Sequence, residues 1–122
     1  MGGKRFFETK LVGKVNSCID AANKSVRDWA RGKSFAVEKY RSASNELDLM
    51  LRRSDLDGLL EFSYNVTRKG DTTVALATLF YHQLDGTKIE PADLSQHLTE
   101  ADIGALQDTL TAAIDCPGGG NQ

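Results

Sequence analysis

Leu60-Glu61-Phe62-Ser63-Tyr64-Asn65-Val66-Thr67-Arg68-Lys69-Gly70-Asp71-Thr72-Thr73-Val74-Ala75-Leu76-Ala77-Thr78-Leu79 is the stretch whose reading decides the fold. It satisfies two patterns at once. Leu56, Leu59, Leu60, Ser63, Tyr64 and Thr67 fall at three- and four-residue steps and make a helix face that Gly70 ends. Leu60, Phe62, Tyr64 and Val66 also alternate with Glu61, Ser63, Asn65 and Thr67, the period of a half-buried strand with high β-propensity. Lys69-Gly70-Asp71 would then turn a hairpin into Thr72–Leu79. The helical reading is preferred, because Ala75 and Ala77 suit a helix, Asp71 or Thr72 is a natural N-cap and Gly86 a natural stop. Thr72–Leu84 then becomes the most buried helix, apolar nearly all round.

Towards the N-terminus, Leu11, Val15, Cys18, Ile19, Ala22, Val26, Trp29 and Ala30 form one apolar stripe and predict a helix over Thr9–Arg31, with Gly32 as its left-handed stop. Ser34 reads as the N-cap of a second helix, in which Ala36, Tyr40, Ala43, Leu47 and Met50/Leu51 keep helical spacing and Arg52 and Arg53 suit the C-terminal end. Towards the C-terminus, Pro91 fits the first turn of a short helix through His97. Thr99, with Asp102 three residues on, caps a last helix striped by Ile103, Leu106, Leu110 and Ile114. The expected fold is all-α: a compact bundle or spiral of about five short helices, forming one domain over residues 1–116. Gly118-Gly119-Gly120 places residues 117–122 in a flexible tail. The alternative is α+β, with a hairpin at about 60–79.

With 122 residues, 40% apolar and 26% charged, the chain has an ordinary globular composition for one domain. No run is apolar enough to span a bilayer, and Met1–Glu8 has no apolar stretch behind its basic start. A cytoplasmic protein is expected, with Cys18 and Cys116 reduced. The net charge of −2 hides an asymmetry: residues 1–53 carry +6 and residues 54–122 carry −8. Such halves can neutralise each other within a molecule, stack head to tail in a homo-oligomer, or leave the basic half to meet nucleic acid. The basic residues are dispersed with few aromatics among them, which argues against nucleic acid.

No constellation points to catalysis, a cofactor or a metal. His82 and His97 stand fifteen residues apart, with neither cysteine near them. Asp85, Gly86 and Glu90 lack the oxygen-ligand spacing of a calcium loop. Gly32-Lys33-Ser34 resembles the end of a phosphate loop, but Arg27 stands where the first glycine is needed. Cys18 lies on an apolar stripe, where burial makes a thiol inert. Asp55, Asp57 and Glu61 form an acidic cluster that helix-start electrostatics explains; an enzyme would require a pocket uniting that cluster with His82. What remains is aromatic surface. Trp29, Phe80, Tyr81 and Leu84 are the candidate partner-binding residues.

Val74-Ala75-Leu76-Ala77-Thr78-Leu79-Phe80-Tyr81-His82-Gln83, followed by a polar loop over Leu84–Pro91 and acidic amphipathic segments over Ala92–His97 and Glu100–Ile114, resembles the tail assembly chaperones of lambda-like long-tailed bacteriophages. The resemblance covers about residues 70–122. It implies a non-catalytic chaperone of the host cytoplasm that coats the tape measure protein, multiplies along it and recruits tail tube subunits. It also implies a longer frameshifted form, and Gly119-Gly120-Asn121 is compatible with a slippery codon run. The alternative function is a small nucleic-acid-associated regulator using the basic N-terminal half.

Overall fold

The computed structural model describes residues 3–13, 19–43, 45–70, 72–84 and 91–113. Its order is β1 (Gly3–Gly13), α1 (Ile19–Gly32), β2 (Ala36–Ser42), β3 (Glu46–Arg52), β4 (Gly58–Lys69), β5 (Thr72–Gln83), a 3-10 turn (Pro91–Gln96) and α2 (Glu100–Ala113). The strands form one antiparallel sheet in the order β1-β5-β4-β3-β2. The molecule is therefore mainly β, and the expected all-α bundle of five helices is overturned.

The geometry of the apolar positions explains the correction. Residues two apart lie about 200° from each other round a helix. A helix over 46–52 would thus point Leu49 away from Leu47 and Leu51, and one over 60–64 would separate Phe62 from Leu60 and Tyr64. As strands, both segments put all three on one face, and all six side chains are buried. Burying a leucine is worth roughly 2 kcal/mol; helix propensities differ by only a few tenths per residue, so burial decides. β4 runs on through Gly70, whose φ of 62° suits a hairpin turn, into β5 by the pairing Lys69↔Thr72. At the far end of the ladder Gly58 admits no side chain: a Cβ there would sit 2.2 Å from the His82 carbonyl oxygen.

The stretch expected as one helix over Thr9–Arg31 is divided. Its first part is strand β1, in which Phe7 and Leu11 are buried. Its last part is α1, which buries Ala22, Val26 and Ala30 as the stripe requires; Val15 and Cys18 lie outside the described residues. Gly32 is still helical, and the left-handed residue is Ser34, with φ 67°. Ser34 is not an N-cap. Its N–H donates to the Arg31 carbonyl (3.1 Å) and that of Phe35 to the Ala30 carbonyl (2.9 Å), the two bonds of a Schellman C-cap. The α2 cap does form: the Asp102 N–H donates to Thr99 Oγ1 (3.2 Å) and the Thr99 N–H to Asp102 Oδ2 (3.0 Å). Cys116 and residues 117–122 lie outside the described residues.

Both helices cover the same side of the sheet. The buried residues of α1 and the Ile103, Leu106 and Leu110 stripe of α2 join Leu47, Leu49, Leu51, Leu60, Phe62, Tyr64, Ala75, Ala77, Leu79 and Tyr81 in one core. Within it the Tyr64 hydroxyl has no hydrogen-bond partner, and burial pushes its pKa up to about 12. No helix of the described residues is long and apolar enough to cross a membrane.

Two substitutions test these assignments. Ser34→Gly relieves a left-handed serine and is expected to stabilise the protein by up to about 1 kcal/mol in urea unfolding. Tyr64→Phe removes an unsatisfied buried hydroxyl and is expected to stabilise by about 1 kcal/mol in the same measurement.

Candidate functional site: the open face of the sheet

Side chains on a strand alternate between faces, so the residues between those of the core form a second surface. Register places them in rows across β1, β5, β4, β3 and β2. Arg5, Phe80, Glu61, Met50 and Lys39 make one row; Glu8, Thr78, Ser63, Asp48 and Arg41 the next; then Lys10, Leu76, Asn65 and Glu46; then Val12, Val74 and Thr67. No element among the described residues covers this face. Such a face is ordinarily polar. Here β5 offers Val74, Leu76 and Phe80 on its outer side as well as Ala75, Ala77, Leu79 and Tyr81 on its inner side. Leu76 is 41% exposed and the neighbouring Val12 60%. A strand apolar on both sides normally has both sides packed.

Next to this apolar strip lies a polar cluster. The Ser63 hydroxyl donates to Asp48 Oδ1 at 3.0 Å and reaches Glu61 Oε2 at 3.4 Å, and His82 Nε2 lies 2.6 Å from Glu61 Oε1. Phe80 meets the edge of the His82 ring, with centroids 4.6 Å apart. Burial, and then the neighbouring Glu61, push the Asp48 carboxyl up to about 6, against the pull of Ser63 and Arg41. Burial also opposes ionisation of Glu61, but hydrogen bonds from Asp48, His82 and Ser63 outweigh it and hold its pKa below the ordinary value. A shallow depression of about 200 Å³ over Arg41, Asp48, Glu61 and Ser63 has no histidine in its wall. The serine faces carboxylates rather than an imidazole, with its hydroxyl donating to Asp48. No metal-holding group of three or more His, Cys, Asp or Glu occurs among the described residues.

The acidic residues that are neighbours in sequence are apart in space. Asp55 pairs with Arg53 (2.6 Å) and approaches His97 (3.6 Å), Asp57 accepts from the Tyr81 hydroxyl (2.8 Å), and only Glu61 reaches His82. The four aromatic and apolar candidates also separate. Tyr81 is fully buried. Trp29 is half-buried, stacks near Phe35 and donates to the Asp102 carbonyl at 2.9 Å. Phe80 is half-buried on the open face, and Leu84 is exposed just beyond β5. Val12, Val74 and Leu76 were not singled out by sequence spacing. The signal for Val74 and Leu76 is the outer phase of Val74–Phe80, in which Thr78 is the one polar residue. Asp85, Gly86 and Glu90 fall outside the described residues.

The charged halves of the chain interleave. β1 pairs with β5, α1 packs on α2, and Lys33 pairs with Asp102. Within the basic half, Arg5, Lys24, Arg31, Arg41 and Arg52 are paired with Glu8, Asp28, Glu46 and Glu38. Both outer strands are also guarded against strand addition. Each carries a bulge, at Arg5/Phe7 and at Val37/Lys39, and charged residues along its length. Comparison with family models, curated proteins and solved structures gave no match.

The raised Asp48 pKa gives a test of this face. Below the unfolded value of 3.8 the group is protonated in both states and costs nothing; as pH rises through about 6 the native carboxyl is forced to ionise and stability is lost. Asp48→Asn is therefore expected to raise Tm by a few degrees at neutral pH, with the gain fading towards pH 4, in thermal melts across that range.

Proposed function

We propose that this is a non-catalytic protein of the cytoplasm that holds apolar stretches of another polypeptide on the open face of its sheet. One observation carries the reading: no described element covers the outer side of β5, where Val74, Leu76 and Phe80, interrupted by Thr78, lie beside Val12. Exposed apolar surface of this kind, rimmed by charge, marks protein interfaces in soluble proteins. The strip is narrow and extended, about the width of two strands, and suits an extended segment better than a folded domain.

A tail assembly chaperone is a role of this class, since its work is to shield and pass on other chains. The residues on which that resemblance rests are a strand rather than a helix, with Tyr81 turned into the core. The support for the reading is therefore the open face and not a shared helix. The nucleic-acid alternative has weaker support, because carboxylates already accompany many cations of the basic half and the middle of the open face is acidic at Asp48 and Glu61.

Reduced, carboxymethylated lactalbumin, a permanently unfolded chain, serves as the probe. Titrated with dilute protein and followed by fluorescence anisotropy, it is expected to bind. The double variant Val12→Lys with Leu76→Lys should bind at least about tenfold more weakly, a loss of about 1.4 kcal/mol. Its unfolding midpoint should be unchanged, as both side chains lie on the surface. Absence of wild-type binding, or equal binding by the variant, would overturn the proposal.

A further inference from the structure

An apolar strip on a free protein is a liability unless something covers it. Resting on the reading just given, we infer that the free protein closes this face against a second copy of itself, in a two-fold pair whose axis runs along β5, with Arg5 of each copy set over Glu61 of the other.

The rows of the open face select this arrangement. A two-fold axis along β5 lays that strand on its own image, so Phe80 faces Phe80, Leu76 faces Leu76 and Val74 faces Val74 across the interface. The same operation carries β1 of one copy over β4 of the other, row by row. Arg5 shares its row with Glu61, one strand to either side of Phe80, and so the two are brought face to face, twice by symmetry. Lys10 comes over Asn65, Glu8 over Ser63 and Val12 over Thr67, His82 meets its own image, and among the described residues no Lys or Arg is set over another and no Asp or Glu directly over another. Packed sheets hold their strands within about 30° of alignment, which keeps the central rows in register.

Two alternative axes do worse. An axis along β4 stacks Glu61 on its own image and sets Arg5 over Lys39. An axis across the strands, between the Thr78 and Leu76 rows, opposes Asp48 with Glu46. Like charges in such a contact disfavour the wrong pairing, while opposite charges fix the right one. Arg5 can exchange partners, since its present partner Glu8 lies 3.6 Å away on an exposed surface; Glu61, 2.6 Å from His82 Nε2 through Oε1, would share its carboxylate between His82 and the incoming Arg5. Edge-to-edge association is obstructed by the bulges and charges of β1 and β2, so association goes through the face. The arrangement is closed, a pair rather than a growing stack, because the two-fold uses up the strip on both copies.

The test is native mass against concentration by sedimentation equilibrium, with a charge-exchange cycle. Wild-type is expected to pass from monomer to dimer and no further. Arg5→Glu and Glu61→Lys should each weaken the dimer about tenfold or more, and their combination should restore it. A second reading avoids reliance on those variants. Thr78 lies on the axis, so Thr78→Cys, with Cys18→Ser and Cys116→Ser, should be cross-linked to its own image by a short bismaleimide. A wild-type monomer at every concentration, a double exchange that fails to restore pairing, or no self-cross-link at Thr78→Cys would each overturn the inference. If the protein stays monomeric but the Val12→Lys, Leu76→Lys variant still loses lactalbumin, only the pairing falls; if lactalbumin does not bind and the charge cycle restores the dimer, only the client reading falls.

Discussion

The pairing of β4 with β5 is the constraint from which the rest of the structure follows. It runs from Gly58↔Gln83 to Lys69↔Thr72, closed at one end by the left-handed Gly70 and at the other by the contact between Gly58 and the His82 backbone. A slip of one residue in this ladder would exchange its two faces. Glu61, Ser63 and Asn65 would enter the core, and Leu60, Phe62 and Tyr64 would leave it. That cost fixes the register. β3 then adds to β4 through Leu47, Leu49 and Leu51, β1 adds to β5 through Phe7 and Leu11, and the two helices close over the apolar side.

The same constraint determines what the sequence could disclose. The helices were legible where one stripe served one neighbour: Ala22, Val26 and Ala30 in α1, Ile103, Leu106 and Leu110 in α2, and the Thr99/Asp102 cap. β5 was legible only as the second arm of the alternative hairpin, because Val74–Phe80 has a single polar residue, Thr78, and a strand with so little polar phase has nearly the same apparent pattern as a buried helix. In β3 the alternation of Leu47, Leu49 and Leu51 was present, but Tyr40, Ala43 and Met50 supplied a competing helical spacing. The open face was less legible still. Asp48, Ser63, Glu61 and His82 come from three strands, and only cross-strand register brings them together. Phe80 and Tyr81, adjacent in sequence, have opposite fates for the same reason.

A mixed surface results, and each part restrains the other. On the proposed reading the apolar strip would favour contact with another chain, while the acidic centre and basic margins would limit which contacts are compatible. Bulges and charges on the edge strands disfavour strand addition at the sheet margins. On the reading proposed above, the function would reside in this surface. The polar cluster lies within that surface, with Ser63 donating to Asp48 and His82 engaged by Glu61.

Hydroxyl-radical footprinting of dilute protein, read residue by residue by mass spectrometry, tests the central claim most directly. A two-sided β5 with one open face predicts labelling of Leu76 and Phe80 together with Met50, while Leu79, Tyr81, Phe62 and Tyr64 remain protected. Protection of Leu76 and Phe80 in the dilute monomer, or labelling that recurs at three- and four-residue steps along Val74–Gln83, would contradict it.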